Sequence, residues 1–374
     1  MVAIVRASPP ADAAVAADAP VARKTFVNGS GRCGECHGKM FDEWEVSAHA
    51  RATSSTLFKT AMADARATTA TADCERCHAP LVAQIGREPA ASEGVTCDVC
   101  HTLRDVKPTA DGGSFRLAID DMVKFGPRCN LKDHYFHRMG CSPEHDQAVI
   151  CSACHWWEQQ GVPIFTEYPD WQAGPAAKTP CQSCHMPKER AALAEGSPKR
   201  DGVPHHGLLG LATDLRRRAL GVALAVADEG GALVVMVDVK NVNAGHAVPS
   251  GLPERRIVVT AKVGDEVQRH ALGRVLVDAS GAEVPFWRAT KVGSDTRIPA
   301  GATAHEAFRF QPAGAGTAEI TVGYRALSDA AAKQLGVTDV VEETLVVARI
   351  AFDAKHAGKP VVVVPPPPGK RPRP

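Results

Sequence analysis

The chain has 374 residues, 43 basic against 42 acidic, and a formal charge of +1. That is length enough for two domains, and the balanced charge excludes a broad basic surface for nucleic acid. No segment approaches the apolar length of a membrane-spanning helix, so a transmembrane segment is not expected.

Residues 1–27 are rich in Ala, Pro and Val and read as a disordered leader or linker. The apolar stretch that opens it, Met1 to Val5, is too short for the core of a signal peptide.

Residues 28–214 are dominated by one pattern. Cys-x-x-Cys-His occurs five times: Cys33, Cys36 and His37; Cys74, Cys77 and His78; Cys97, Cys100 and His101; Cys151, Cys154 and His155; Cys181, Cys184 and His185. This spacing is the signature of covalent c-type haem attachment. Two thiols three residues apart can add to the two vinyl groups of one porphyrin. The next residue, a histidine, then reaches the iron as proximal ligand. A zinc site needs two such pairs, or one pair and two further ligands, and nothing in it calls for histidine after every second cysteine. A disulfide framework does not select that histidine either. Five covalent haems c are therefore expected, with the porphyrins supplying much of a core that an aromatic content of 5% leaves thin. Their propionates add up to ten negative charges that the formal charge omits.

Haem c is attached outside the bacterial cytoplasm, so the motifs outweigh the short N-terminal apolar stretch. An exported protein, periplasmic or extracellular, is expected. Its leader then lies outside this sequence, or translation starts within the leader. Disulfides persist in that compartment, and the two remaining cysteines, Cys129 and Cys141, are expected to close a short loop. The alternative is two free buried thiols.

A proximal histidine leaves the sixth position of its iron open. A second histidine there gives a low-spin centre suited to electron transfer, whereas an open position permits ligand binding and catalysis. Ten histidines lie outside the motifs. His49 falls in the first interval between motifs and His134, His137 and His145 in the third, the two longest intervals. Unequal intervals argue against tandem repeats.

From about residue 215 the texture changes. Leu220–Ala227, Ala232–Lys240, Arg256–Val263, Ala304–Phe310, Ala318–Tyr324 and Glu343–Phe352 alternate with period two between Gly, Asp and Pro, which predicts an all-β immunoglobulin-like sandwich over 215–356. Ser328–Leu335 reads as a short helix. Residues 357–374 end in Pro365-Pro-Pro-Pro368 and basic residues and read as a disordered Pro-rich tail. The fold class expected is multidomain, with a mainly α and irregular multihaem domain followed by the sandwich.

Several segments of the first domain resemble the cytochrome c-554-type multihaem cytochromes, a broad family of exported electron carriers. They are Cys33–His37 followed by Trp44-Glu-Val-Ser-Ala-His49-Ala50, Glu93-Gly-Val-Thr-Cys97, Phe125-Gly-Pro127 and Cys181–His185 followed by Met186-Pro187. The resemblance implies distal haem ligands at His49, at His137 (fourteen residues before a later motif) and at His206, with His205 one residue out of register. It also covers Asn241-Val-Asn-Ala-Gly-His246-Ala-Val-Pro-Ser-Gly251, which implies that His246 reaches from the sheet edge to an iron. His134 and His145 compete for a fifth place. Met139 is a weaker candidate; Met186, directly after a proximal histidine, is not expected to reach the far side of that ring, and His270, His305 and His356 read as surface residues.

The function expected is electron transfer between redox partners through closely packed, mostly bis-His haems. Quinol-oxidising membrane proteins, other cytochromes and terminal reductases are the partners in view. Two alternatives are an oxidoreductase acting on a small nitrogen or sulfur compound at one five-coordinate haem, and a subunit of a conductive filament. Pentahaem nitrite reductases typically replace one proximal His by Lys, and no Cys-x-x-Cys-Lys occurs here. The oligomeric state stays open.

Overall fold

The computed structural model describes residues 27–68, 73–119 and 122–365. The N-terminal half is built of short helices: α1 (Ser30–Gly34), α2 (Gly38–Glu45), α3 (Thr56–Thr68), α4 (Glu75–His78), α5 (Val82–Ile85), α6 (Pro89–Ser92) and α7 (Cys97–Thr102), then α8 (Val149–His155), α9 (Glu167–Ala173), α10 (Cys181–His185) and α11 (Thr213–Ala219). Four two-stranded ribbons lie among them: β1 (Leu103–Lys107) with β2 (Ser114–Leu117), β3 (Val123–Gly126) with β4 (Arg138–Cys141), β5 (Trp157–Gln159) with β6 (Val162–Phe165), and β7 (Lys188–Ala191) with β8 (Arg200–Pro204). The apolar cluster confined to this half is small, with Leu81, Ala91, Val99, Leu103, Val106, Leu117, Ile119 and Ala153 at its centre. Elements this short cannot bury enough side chain to stabilise one another in so long a stretch.

The leader expected over residues 1–27 lies outside the described residues except for Val27, which packs against that cluster.

The C-terminal half carries β9 (Leu220–Glu229), β10 (Ala232–Asn241), β11 (Arg256–Val263), β12 (Glu266–Leu272), β13 (Arg274–Val277), β14 (Lys291–Asp295), β15 (Thr303–Phe310), β16 (Gly316–Arg325), α12 (Asp329–Gln334), β17 (Glu342–Phe352) and β18 (Val361–Val363). Two antiparallel sheets form, in the orders β15-β10-β9-β18 and β12-β11-β16-β17. Alternation drives the arrangement. Leu233, Val235, Val237 and Val239 of β10 and Ile257, Val259 and Ala261 of β11 enter one core shared by both sheets, whereas Met236 faces out. Gly230 and Gly231, at φ +63° and +85°, make the two-residue turn between β9 and β10.

The six strands and the helix read from the sequence correspond to β9, β10, β11, β15, β16, β17 and α12. One boundary is corrected. Val361–Val363, which the sequence assigns to the tail, pairs with β9 as an edge strand, because β9 offers an open row of backbone groups. Residues 366–374 lie outside the described residues.

The halves are joined by apolar and polar contacts. Leu57, Ala61 and Ala65, one stripe of α3, meet Trp287 and Leu335. Val162 and Ile164 of β6 pack with Leu276 and Ala289. Asp64 accepts from Trp287 Nε1 at 2.8 Å and pairs with Arg288. Arg274, 5% exposed, donates to Pro163 O at 2.8 Å and pairs with Asp295; Arg297 bridges Asp295 and Asp170.

Arg274→Met removes a buried donor set while leaving Asp295 its second arginine. A loss of about 1–3 kcal/mol is expected. The exposed pair Arg349–Glu319 is the control, worth about 0–1 kcal/mol. Denaturant unfolding of the haem-loaded chain, followed by far-ultraviolet circular dichroism, compares the two; equal losses contradict the role given to Arg274.

Candidate functional site

On a helical turn, positions i, i+3 and i+4 share a face. The motif residues use this spacing on α4, α7, α8 and α10. In α7 the start is fixed by Thr96, whose hydroxyl caps Val99 N at 3.3 Å. All ten motif cysteines and all five motif histidines line one cavity of about 3140 Å³. A pocket for a single small ligand has about 300–1,000 Å³. This cavity has room for several.

Three motif imidazoles are aimed by the backbone. Their Nδ1–H groups donate to carbonyl oxygens: His37 to Leu193 at 2.5 Å, His78 to Ala52 at 2.8 Å, His101 to Phe125 at 2.6 Å. A carbonyl only accepts, which fixes the tautomer and leaves Nε2 as the metal-binding nitrogen. His155 Nδ1 lies 4.0 Å from Glu167.

Four motif histidines face a histidine from elsewhere in the chain. Ring centroids are 6.3 Å apart for His37 and His137, 6.3 Å for His49 and His155, 6.4 Å for His101 and His206, and 6.3 Å for His185 and His246. A metal–imidazole bond is about 2 Å and each centroid lies roughly 1.1 Å behind its nitrogen. Imidazoles on opposite sides of one iron therefore have centroids about 6.2 Å apart. The chain holds four pairs at that span. The Nδ1 atoms of His49 and His206 are buried without a hydrogen-bond partner.

Burial, with neighbouring histidines, lowers the pKa of His49 and of His185 to about 4; burial lowers that of His101 to about 3. All three are neutral at pH 7, the form that binds a metal. Among the described residues no three His, Cys, Asp or Glu side chains cluster as ligands for a bare ion. Two thiols per motif, with a facing pair of imidazoles at four of the five, suit a metal whose remaining ligands come from a macrocycle. The residues fit haem c.

His78 differs. Its ring stacks on Phe58, centroids 4.2 Å apart, and no His–His ring contact involves it among the described residues. His145 stacks on His101 at 5.9 Å, but its Nε2 is hydrogen-bonded to Cys100 O at 2.9 Å. His134 is exposed and lies against Tyr135 and Phe136. His205 pairs through Nε2 with Glu43 and does not line the cavity.

The segments that carry the second histidines are held from a distance. Trp44 Nε1 donates to Val95 O at 2.9 Å and Val95 N to His49 O at 3.1 Å, so two stretches of the family resemblance dock on each other. Gly94 lies between them at φ +129°, where a Cβ would sit 2.6 Å from His49 O. Glu43 accepts from His206 N at 2.8 Å. Asn241, fully buried, donates to His246 O and Ile298 O and fixes the loop that presents His246. Cys129 and Cys141 form a disulfide, Cα atoms 4.7 Å apart, closing the loop that carries His137. Glu43 and Phe58 were not singled out in the sequence as site residues, because their partners His206 and His78 lie elsewhere along the chain.

Thiols of different motifs adjoin each other: Cys33 lies beside Cys97, Cys77 beside Cys154, and Cys151 beside Cys181. Attachment points of separate motifs are thus neighbours.

Residues 32–102 match the family model described as cytochrome c554 and c-prime. The fold matches the crystal structure of a penta-heme cytochrome c552 from Thermochromatium tepidum, at 20% identity and a TM-score of 0.73, over 88% of this chain and 100% of that one. No curated protein matches the chain.

Two outcomes are expected here. Thiol titration of the unreduced, denatured, haem-loaded chain finds no reactive thiol; two would contradict the disulfide. Gly94→Ala pushes on the backbone of His49 and costs about 1–3 kcal/mol. If His49 closes an iron, the high-spin fraction of the haem-loaded chain also rises; an unchanged spectrum contradicts the role given to Gly94.

Proposed function

We propose that this chain is a multihaem c-type cytochrome, an exported electron carrier with five haems, four of them closed by two histidines. The observation that carries the reading is the set of four imidazole pairs at 6.3–6.4 Å. Haem c supplies the one-electron couple. The chain's own groups do the rest. The motif cysteines would hold each macrocycle, and the motif histidine would be a ligand of its iron. His137, His49, His206 and His246 would be the second ligands in the first, fourth, third and fifth motifs. Carbonyls of Leu193 and Phe125 orient two of the proximal rings.

The adjoining thiols support an order of neighbours. Motif one abuts motif three, motif two abuts motif four, and motif four abuts motif five. Close attachment points favour short ring separations, which carry electrons from one redox protein to another. Quinol-oxidising membrane proteins, other cytochromes and terminal reductases are the partner classes. No described helix is long and apolar enough to cross a membrane. Attachment of haem c outside the cytoplasm supports a periplasmic or extracellular location.

His78 favours a second reading of one centre. With Phe58 stacked on its ring and no opposing histidine, the second motif is the place for a five-coordinate iron that takes a small ligand. An oxidoreductase acting on a small nitrogen or sulfur compound would work there.

Carbon monoxide titration of the reduced protein tests both. About one haem in five is expected to respond, and about two in five in His137→Ala or His206→Ala. His145→Ala stays at about one in five, because its Nε2 is bound to Cys100 O. No response from the wild type contradicts an open second centre; an unchanged response in His206→Ala contradicts the pairing with His101.

A further inference from the structure

The loop that presents His246 continues into a second charged feature. Arg255 lines the cavity beside that loop. Its Nη1 donates to Ser250 O at 2.7 Å, and its Nε is buried without a partner. Gly251, at φ +82°, makes room for it, since a Cβ there would overlap the guanidinium.

The charge of Arg255 is uncompensated by the protein. Arg256 pairs with Glu283, Arg274 with Asp295, and Arg297 with Asp170 and Asp295. Arg255 makes no such pair among the described residues. The carboxylate next to it in sequence, Glu254, is turned to Phe286 N at 3.0 Å. Arg255, Arg274 and Arg297 also line one small pocket whose lining holds no carboxylate; Asp170 and Asp295 pair with the other two arginines. A cation with a buried, unmade hydrogen bond in such a place calls for an anion.

We propose that Arg255 is the carboxylate clamp for the haem whose iron His246 closes, taking one of its propionates. The inference rests on the reading of the five motifs as haem sites. The planar guanidinium can bind a carboxylate through two parallel N–H groups, which a lysine cannot. One loop of the C-terminal half then grips one cofactor twice, by its iron through His246 and by its edge through Arg255. A fixed positive charge beside that haem also favours its reduced state, so Arg255 raises the potential of that centre alone.

The test uses the full haem-loaded chain with Arg255→Gln and Arg255→Lys. Haem content, the propionate bending bands in resonance Raman, and a spectroelectrochemical titration are recorded for each. Five haems per chain are expected throughout. In Arg255→Gln one midpoint potential falls and one propionate band moves. In Arg255→Lys the potential stays close to the wild type, while the band still moves because the fork is lost. If Arg255→Gln does not accumulate, the band in Arg255→Lys decides alone. Unchanged bands and potentials in a five-haem variant overturn the clamp and leave the haem reading intact. A wild-type chain without five covalent haems overturns the underlying reading instead. Acetate added to the wild type at constant ionic strength separates the two sources of carboxylate: no shift supports the propionate, and a shift as large as that of Arg255→Gln assigns the site to a free carboxylate.

Discussion

The span at which paired imidazoles face each other governs this molecule. Each second histidine must be brought to about 6 Å, centroid to centroid, from a motif histidine that its own turn already fixes. The chain meets that requirement from four different structural settings: the segment after α2, a disulfide-closed loop, the stretch after β8, and the loop that joins β10 of one sheet to β11 of the other. The small N-terminal core, the abundance of short ribbons and the long-range hydrogen bonds of Trp44, Glu43 and Asn241 become intelligible as means to hold those settings in register. Little polypeptide packs against polypeptide in this half, so the cofactors are expected to contribute much of its cohesion.

What was legible in the sequence divides along the range of the interactions. The Cys-x-x-Cys-His chemistry is local, complete within five residues, and needs no fold to be read. Strands such as Ala232–Lys240 and Arg256–Val263 were legible because burial on one face imprints alternation. His49, His137, His206 and His246 were reached through resemblance; which motif each one faces was not, because His49 meets His155 and His137 meets His37 across about a hundred residues. The competition of His134 and His145 was likewise undecidable from spacing. One hydrogen bond, from His145 Nε2 to Cys100 O, engages the nitrogen that an iron would need. The edge strand Val361–Val363 was hidden for a different reason: three valines before a polyproline stretch gain a structure only from the partner they find in β9.

The C-terminal sheets are more than an appended module. They share apolar clusters with α3 and β6, and the Arg274, Arg297, Asp170 and Asp295 network ties them to α9 through buried charge. Buried ion pairs are modest contributors to net stability but fix geometry, since each misplacement strands a charge. That rigidity is what a donated ligand needs, because a histidine offered from a mobile domain would bind its iron intermittently. His246 and Arg255 leave the same loop, so on this reading the sheets would set both the coordination and the electrostatics of one centre.

The central claim is four irons held between paired imidazoles and one that is not. Low-temperature near-infrared magnetic circular dichroism of the oxidised protein, with electron paramagnetic resonance on the same sample, counts axial ligand sets directly. The account predicts low-spin bis-imidazole signatures for four haems and a different signature for the fifth. A methionine–histidine band of more than one-haem intensity, or two or more high-spin haems in the wild type, would contradict it.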